Sequence, residues 1–378
     1  MKIITKTLFL LFLNQFVFSQ ANYEHFDSYK LGEKRELKIQ LPRNYDPDSP
    51  EKHPLVIVLD ADYLFEPVVG NIDFQSYWED MPGCIVVGIN QSATRTKDLS
   101  FSEEHFMPSQ DGATFFEFLS MELLPYIDDK FKTTSFRIII GHDLSANFIN
   151  YYLFKDKPLF DAYIVLSPDF APKMQERLLK RLSWLDEEIF YYLATSDADV
   201  KILRDKIIPF NKELEKVSNQ KFHYYFDDFK EADHYSLVSR GIPKGFNDIF
   251  SLFRPINLKE YKEEILTYEG TPYDYLMDKY KKIDYFYGYD KKISENDIRA
   301  IAAACKDKND MDSLEKLSNI AHKTYPESMI GAYYKGLYFE STGNLKKALQ
   351  RYQSGLLLKS SQYLNKDILL EKIYSIQE

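Results

Sequence analysis

The chain has little cysteine, little excess positive charge and few spacings suited to metals, and each shortage excludes a class of protein. Two cysteines, Cys84 and Cys305, in 378 residues cannot build a disulfide framework, so both are expected to be buried free thiols. The formal net charge of −10 disfavours binding to nucleic acid or to an anionic membrane surface. None of the seven histidines has the His/Cys spacing of a zinc site, so no metal and no cofactor is expected.

Long apolar runs are also scarce, and the first twenty residues instead have the three parts of a secretory signal peptide. Lys2 and Lys6 carry positive charge, residues 8–18 form an apolar core, and residues 19–21 offer a cleavage site. The core is too short to span a bilayer, and no later segment reaches about 18 uninterrupted apolar residues. We therefore expect an exported protein, secreted or periplasmic, without stable membrane insertion.

Residues 21–254 alternate short apolar runs with helical patterns. Most of the runs are β-branched and apolar on both faces, which predicts buried strands. The predicted strands are residues 55–59, 84–89, 136–140, 162–166, 189–193 and 222–226, with an alternating edge strand at 37–41, and the clearest helices are 115–131 and 146–154. This alternation predicts a mostly parallel sheet with helices on both faces.

Strand patterns vanish in residues 255–378, where helical patterns rich in Lys, Glu and Tyr predict an all-α region. Residues 329–362 carry small and aromatic residues at the spacing of a tetratricopeptide repeat, and residues 295–328 match it more weakly, one period of about 34 residues earlier. A plain antiparallel helical bundle fits the pattern almost as well. Either arrangement could dock a protein partner.

The segment Gly141-His142-Asp143-Leu144-Ser145 follows a predicted strand and precedes a predicted helix, which is the layout of a nucleophile elbow. Small residues are needed two before and two after the apex because the turn is sharp. Gly141 and Ser145 meet that need, and His142 is expected to lie beneath the turn as packing support. The apex itself is Asp143, where a serine would be expected.

The surrounding residues resemble the putative esterase family, which includes enterochelin esterase and S-formylglutathione hydrolase (esterase D). The resemblance runs in register over about residues 30–254. It is carried by P-L-V-I-V-L-D-A-D at 54–62, I-V-V-G-I at 85–89 with R-T-K-D-L at 95–99, L-L-P-Y-I-D at 123–128, F-D-A-Y-I through L-S-P at 160–168, and D-H-Y-S at 233–236. It implies an α/β-hydrolase fold and a serine-esterase mechanism on a small ester-like molecule.

The family's catalytic roles carry over residue by residue. His234 matches the general base, and the acid that orients it falls at Asp199, with Asp197 as second choice. The oxyanion would be bound by the backbone N–H groups of Leu144 and Ala61. The order of apex, acid and histidine is that of α/β-hydrolases.

Arg95 matches a family arginine that could bind the carboxylate or phosphate end of a ligand. An ion pair with a nearby Asp or Glu is an equal alternative for this side chain.

The chain departs from the family pattern at four points. Asp143 replaces Ser, Ser145-Ala146 replaces Gly-Gly, and Ala61 and Tyr235 each replace Gly. The first change removes the nucleophile, and the others add bulk around the elbow, the oxyanion loop and the histidine. Several changes in one pocket favour loss or alteration of ordinary serine-esterase activity.

Three hypotheses remain open for Asp143. The favoured one is a degenerate esterase that keeps the fold and a binding pocket, because an apex carboxylate repels a developing oxyanion. Alternatively, Asp143 attacks carbon as in haloalkane dehalogenases and epoxide hydrolases, and His234 activates the hydrolytic water. The third is residual hydrolysis by water attack with His234 as base, or by Ser145, which we expect to point into the helix.

Overall fold

A computed structural model describes residues 21–43 and 45–377. Residues 1–20, where the sequence predicts a signal peptide, lie outside the described residues. The chain divides into two compact units. The first reaches to Ser251 and includes Phe286–Tyr289, and the second comprises Leu252–Tyr285 and the residues from Asp290 onward. Within the described ranges, no helix combines the length and apolar character needed to cross a membrane.

The described part of the first unit contains a single eight-stranded sheet. Its strands are β1 (Asn22–Ser28), β2 (Glu33–Gln40), β3 (His53–Val58), β4 (Ile85–Ile89), β5 (Thr133–His142), β6 (Ala162–Leu166), β7 (Ile189–Ala198) and β8 (Phe222–Asp233). The spatial order is β1-β2-β4-β3-β5-β6-β7-β8. Pairing is antiparallel from β1 to β2 and from β2 to β4, and parallel elsewhere. The prediction of a mostly parallel α/β-hydrolase sheet is confirmed.

Helices connect these strands. They are α1 (Ala61–Tyr77), α2 (Arg95–Asp98), α3 (Asp111–Phe118), α4 (Leu124–Lys130), α5 (Leu144–Ile149), α6 (Met174–Leu182), α7 (Lys201–Leu214) and α8 (Ser236–Ile249). A π-helical turn, Leu119–Leu123, joins α3 to α4, and a 3₁₀ turn, Asn150–Phe154, extends α5. The helix predicted at 115–131 therefore begins earlier in the structure, at Asp111. The helix predicted at 146–154 begins two residues earlier, at Leu144.

The core follows the alternation of side chains along the parallel strands. Leu55 and Ile57 of β3 are buried in one cluster with Phe115 of α3 and Phe148 of α5. The intervening Val56 and Val58 are also fully buried. Because successive strand residues point to opposite faces, both faces of β3 are covered. This two-sided burial explains why the predicted strands had no polar alternation.

One prediction about the sheet edge is wrong. Residues 37–41 were expected to form an edge strand, but β2 lies between β1 and β4, and β1 forms the edge. The sequence of β1 is NYEHFDS, and most of its residues are exposed or half-buried. Because so few of its side chains enter the core, β1 gives almost no hydrophobic signal in the sequence.

The second unit is helical throughout its described residues. After the short helix α9 (Leu258–Glu260), which continues as a π-helical turn, come α10 (Pro272–Tyr287), α11 (Glu295–Asp307), α12 (Met311–Thr324), α13 (Met329–Ser341), α14 (Leu345–Gly355) and α15 (Lys366–Gln377). The last two residues of α10 belong to the first unit.

A spacing of 34 residues recurs in the second unit. It separates the first residues of α11 and α13 (329 − 295) and of α12 and α14 (345 − 311). The N-caps repeat as well, since the side chains of Ser294, Asp310, Ser328 and Asn344 all accept hydrogen bonds from the first turns of their helices. The helical character is confirmed, whereas the tetratricopeptide likeness stays a prediction.

Candidate active site

The turn between β5 and α5 has the backbone geometry of a nucleophile elbow. Asp143 has φ 60° and ψ −118°, a conformation that costs a non-glycine residue about 1–3 kcal/mol. A Cβ on Gly141 would lie 2.6 Å from the carbonyl carbon of Ser145, so no larger residue fits at that position without moving the helix. The chain thus keeps a strained turn at the C-terminal edge of the sheet, where α/β proteins place their functional groups.

The apex carboxylate is held by Arg95. Its Nη1 and Nη2 atoms each lie 3.3 Å from Asp143 Oδ2, and Nη2 also lies 3.3 Å from the carbonyl oxygen of His142. Burial of Arg95 works to lower its pKa, but its hydrogen bonds to Asp60 and the nearby negative charges outweigh burial and raise it. Arg95 therefore stays charged and neutralises part of the acidic apex. Of the two alternatives for Arg95, the structure contains the ion pair.

Asp60 links Arg95 to the elbow, a role that the sequence analysis missed. Its Oδ1 accepts from Arg95 Nε at 2.8 Å, and its Oδ2 accepts from Arg95 Nη2 at 3.1 Å and from Ser145 Oγ at 2.6 Å. Gln91 accepts a hydrogen bond from the Asp60 backbone and donates one to the buried Asp98. The L-D-A-D segment that contains Asp60 could have signalled this role, because it belongs to the family resemblance.

Ser145 is fully buried beneath the turn. Its Oγ donates to Asp60, accepts from the His142 N–H at 2.9 Å and lies 2.9 Å from the His142 carbonyl oxygen. With these partners, the hydroxyl braces the elbow from below and does not face the apex side chain. The expected orientation, into the helix rather than the pocket, matches this arrangement.

His234 and Asp199 form a close acid–histidine pair. Nδ1 of His234 donates to Asp199 Oδ1 at 2.8 Å, and the Asp199 side chain is buried. Asp199 also accepts from Ser167 Oγ, from Thr195 Oγ1 at 2.6 Å and from the Val200 N–H. Burial works to raise the pKa of Asp199, but the hydrogen bonds from His234, Thr195 and Ser167 outweigh it and lower the pKa.

The two acids considered for the orienting role differ in position. Asp197 is exposed near the C-terminal end of β7, whereas Asp199 contacts the histidine. Ser167 also belongs to this cluster and was not singled out from the sequence. It is fully buried with φ 41°, and its Oγ lies 3.1 Å from His234 Nδ1. Its L-S-P motif is part of the family resemblance, which was the available signal.

His142 joins the elbow to the histidine loop. Its Nε2 donates to the carbonyl oxygen of His234 at 3.0 Å, and its Nδ1 lies 3.0 Å from the Tyr63 hydroxyl. Burial, together with the neighbouring His234, lowers the pKa of His142 to about 4. His142 is therefore neutral at physiological pH and acts as a packed, hydrogen-bonded spacer, which agrees with its expected supporting role.

The two predicted oxyanion residues occupy equivalent positions in their helices. Leu144 is the first residue of α5, and Ala61 is the first residue of α1, after Asp60 in a left-handed conformation. The first N–H groups of a helix have no partner within the helix and carry its positive dipole end. Two such helix starts are suited to binding a carbonyl oxygen or an anion.

The loop that carries His234 is braced by its own side chains. Asp233 Oδ1 accepts from the N–H groups of Tyr235 and Ser236, and Ser236 Oγ accepts from the Asp233 N–H. Tyr235, at a position where the resemblance leads us to expect glycine, is largely exposed, and its ring centroid lies 5.1 Å from that of His234. The larger side chain thus fits beside the histidine without entering the core.

No cluster of His, Cys, Asp and Glu that could hold a metal ion occurs among residues 21–43 and 45–377. Cys84 and Cys305 are both buried and unbridged, and burial raises the pKa of each thiol. Buried thiols with a raised pKa are poor nucleophiles, because the thiolate is the reactive form.

Comparisons with solved structures extend these observations. An uncharacterised protein from Capnocytophaga ochracea is 31% identical, with a TM-score of 0.81, 95% of this chain covered and 99% of that one. An IroE-like serine hydrolase from Shewanella oneidensis shares the fold at 20% identity and a TM-score of 0.62, with coverages of 80% and 98%. The siderophore hydrolase EstA from Aspergillus nidulans shares the fold at 14% identity and a TM-score of 0.53, with 61% of this chain and 94% of that one covered.

A search of proteins with curated descriptions finds no match. The sequence model of the family described as "Putative esterase", in contrast, matches residues 28–235. That range contains the elbow, Arg95, Asp199 and His234, and it spans more than half of the chain. The chain belongs to the putative esterase family.

Proposed function

We propose that this chain is a member of the family that has lost serine-ester hydrolysis and binds a small ester-like molecule beside the elbow. The observation that carries the proposal is the pairing of the apex carboxylate of Asp143 with Arg95. A serine hydroxyl at the apex would be the attacking group, and none is present. Ser145 cannot replace it because its Oγ is buried and bonded to Asp60.

Electrostatics argue in the same direction. Attack on an ester develops negative charge on the carbonyl oxygen, next to the apex. Asp143 would bring a carboxylate close to that charge, and Arg95 offsets the carboxylate only through two 3.3 Å contacts shared with Asp60. The ground state of a neutral carbonyl carries no such penalty. Binding of an ester is therefore compatible with Asp143, whereas the transition state of serine-type hydrolysis is not.

A second candidate function follows from the free side of the carboxylate. Among the described residues, no hydrogen bond reaches Asp143 Oδ1, and the His234–Asp199 pair is formed. In this alternative, Asp143 attacks an electrophilic carbon and either expels a halide or opens an epoxide, whose oxygen takes a proton from the solvent, and a covalent ester is formed. His234 then removes a proton from water, which attacks the ester carbonyl and releases the alcohol and the Asp143 carboxylate.

The decisive experiment is hydrolysis of a small aryl acetate by the wild type, Asp143→Ser, Asp143→Ser/His234→Ala and Asp197→Ser. The last variant places a serine at an exposed acid near the site and controls for the substitution itself. We expect turnover only in Asp143→Ser, dependent on His234, together with ligand binding by the wild type. Circular dichroism of each variant checks that it is folded.

Wild-type turnover that is lost in Asp143→Ser would refute the proposal. With a haloalkane or epoxide substrate, wild-type turnover lost in both Asp143→Asn and His234→Ala would instead establish the second candidate. Mass spectrometry of the stalled His234→Ala enzyme would then find alkylated Asp143.

We also propose export to the periplasm or the cell exterior, on the basis of the sequence of residues 1–20 alone. Export is tested by fractionating cells that express the full chain, and retention of the full chain in the cytoplasm would refute it.

We further propose that the helical unit is a tetratricopeptide-like module that docks a protein partner. The 34-residue spacing of its helix starts supports that proposal.

A further inference from the structure

The first unit contains a second concave feature, away from the elbow. It is a groove with a volume of about 300 Å³, bordered by the end of β2, the middle of α1 and the residues just before β4. The elbow follows the C-terminal end of β5, whereas this groove adjoins the N-terminal end of β4. Since β3, β4 and β5 are parallel, the groove and the elbow lie at opposite edges of the sheet. The groove therefore belongs to neither the apex nor the His234 loop.

The groove is lined by apolar and polar side chains together. Leu41 and Val69 represent the apolar part, and Ser76, Arg43 and Asp73 the polar part. Arg43 and Asp73 form a two-point ion pair, with Nη2 donating to Oδ2 at 2.5 Å, and both side chains remain about half exposed. A planar, solvent-accessible pair of this kind presents donors and acceptors to a polar ligand.

Gly70 of α1 lines the groove. Glycine in a helix interior is unfavourable relative to alanine. Close packing does not require a glycine here, because a Cβ built on Gly70 would meet nothing within 4 Å. Gly70 is also not among the positive-φ glycines of the described chain. A side chain at this position would therefore reduce the free volume of the groove.

An exposed aromatic patch, consisting of Phe74, Tyr77 and Trp78, adjoins the groove at the end of α1. These side chains are 64%, 61% and 59% exposed. The guanidinium carbon of Arg43 lies 5.4 Å from the centroid of the Tyr77 ring, and the rings of Tyr77 and Trp78 are 5.1 Å apart in an edge-to-face arrangement. Through Arg43, the patch and the groove form one continuous surface.

We propose that this surface is a carbohydrate-binding site. A sugar ring has an apolar C–H face, which packs on exposed aromatic rings, and a hydroxyl edge, which hydrogen-bonds to guanidinium and carboxylate groups. The surface supplies both requirements side by side, and the volume of the groove is within the range of small-molecule sites. A purely apolar ligand would form no hydrogen bonds with the exposed Arg43–Asp73 pair. An extended glycan would place one sugar in the groove and the next on Tyr77 and Trp78.

The sequence supplies a matched control, because the protein has two tryptophans and both are exposed. Trp184 is 80% exposed and lies between α6 and β7, whereas Trp78 lies in the patch. Mature protein is run in native gels that contain xylan, laminarin, dextran or hydroxyethyl cellulose. We expect retardation in at least one gel, at least tenfold weaker binding for Trp78→Ala, and unchanged retardation for Trp184→Ala.

Gly70→Leu is the second variant. Leucine is a good helix former and meets open space, so the variant should fold while it fills the groove, and its retardation should fall at least tenfold. In Trp184→Phe, the remaining tryptophan emission reports on Trp78 alone and should shift when the retarding polysaccharide is added.

The proposal is overturned if none of the four gels retards the wild type, or if Trp184→Ala weakens retardation as much as Trp78→Ala does. It is also overturned if size-exclusion chromatography shows a concentration-dependent dimer that Trp78→Ala abolishes, because a second copy would then cover the patch.

Discussion

The elbow and the histidine loop meet in one site but match the expected catalytic pattern in different ways. At the elbow, the backbone has the geometry of a nucleophile turn, while the apex side chain is Asp143. At the histidine loop, an acid–histidine pair is formed, since His234 and Asp199 lie 2.8 Å apart within a cluster of hydrogen bonds. The first region thus matches the pattern in its backbone and the second in its side chains.

The difference reflects how each region is held. The elbow is held from below by Gly141, which packs on the next turn, and by Ser145, which is bonded to Asp60. The apex side chain therefore contributes little to the stability of the turn. Asp199, in contrast, is itself the centre of its cluster and accepts from four groups. The turn can therefore hold an aspartate at its apex, whereas Asp199 cannot be replaced without disturbing its neighbours.

The largest effect expected from this contrast is on the free energy of unfolding of Asp199→Ala. The substitution leaves Ser167, Thr195 and the Val200 N–H without their acceptor in a buried site. We expect a loss of about 3–5 kcal/mol, the usual cost of breaking a buried charged network. Denaturant titration of the first unit's transition measures it.

Asp197→Ala is the matched control, because Asp197 is an exposed acid two residues away. Its free energy of unfolding should stay within about 0.5 kcal/mol of the wild type. Equal, small effects for both variants would remove the contrast between the two regions.

A pH measurement sharpens the comparison at His142, which bridges the regions. The pKa of His142 is about 4 in the folded state and 6.5 when exposed. Between these values the unfolded chain binds a proton that the folded chain does not, so stability falls as the pH drops from 6.5 to 4. The two values differ by about 2.5 units, so the loss is on the order of 3 kcal/mol.

His142→Gln keeps hydrogen-bonding capacity but does not titrate in this range. The expected result is a flatter curve of unfolding free energy against pH between 6.5 and 4, measured by denaturant titration beside the wild type. Parallel curves would mean that His142 is protonated in the folded protein and does not connect the two regions as a neutral spacer.

The sequence predicted the central fold because the parallel strands are buried on both faces. Their β-branched runs, such as residues 55–59 and 162–166, have few alternative structures. The strand β1 was missed because its polar sequence carries no hydrophobic pattern. Because β1 was missed, β2 was wrongly predicted to be the edge strand. Strand order beyond that edge depends on pairing between distant segments, which no local pattern encodes.

Residues of the candidate site were most readily predicted where they lie within a recognisable sequence motif. The elbow and His234 each lie in such a motif, whereas Asp199 was only preferred over Asp197 as the acid that follows β7; the structure brings His234 and Asp199 together. The bonds of Asp60 to Arg95 and Ser145, and of Ser167 to Asp199, join residues 32 to 85 positions apart. Those contacts depend on the folded arrangement of strand ends, so they could not be read from spacing along the chain.

The smallest effect is expected at the apex itself. Asp143→Asn removes the charge but keeps the shape, and it alters two 3.3 Å contacts to Arg95, whose bonds to Asp60 at 2.8 and 3.1 Å remain. Asp143 is about one quarter exposed, so water can solvate whatever is left unpaired. We expect the free energy of unfolding to change by less than about 1 kcal/mol, as for exposed ion pairs.

The same denaturant titration measures this variant beside Asp199→Ala. A loss above about 2 kcal/mol would show that the Arg95–Asp143 pair stabilises the fold, and the aspartate at the apex would then have a structural role. A small change would mean that the fold does not require the charge of the apex carboxylate. The strained backbone of the elbow would in that case be kept for a side chain that the fold does not need.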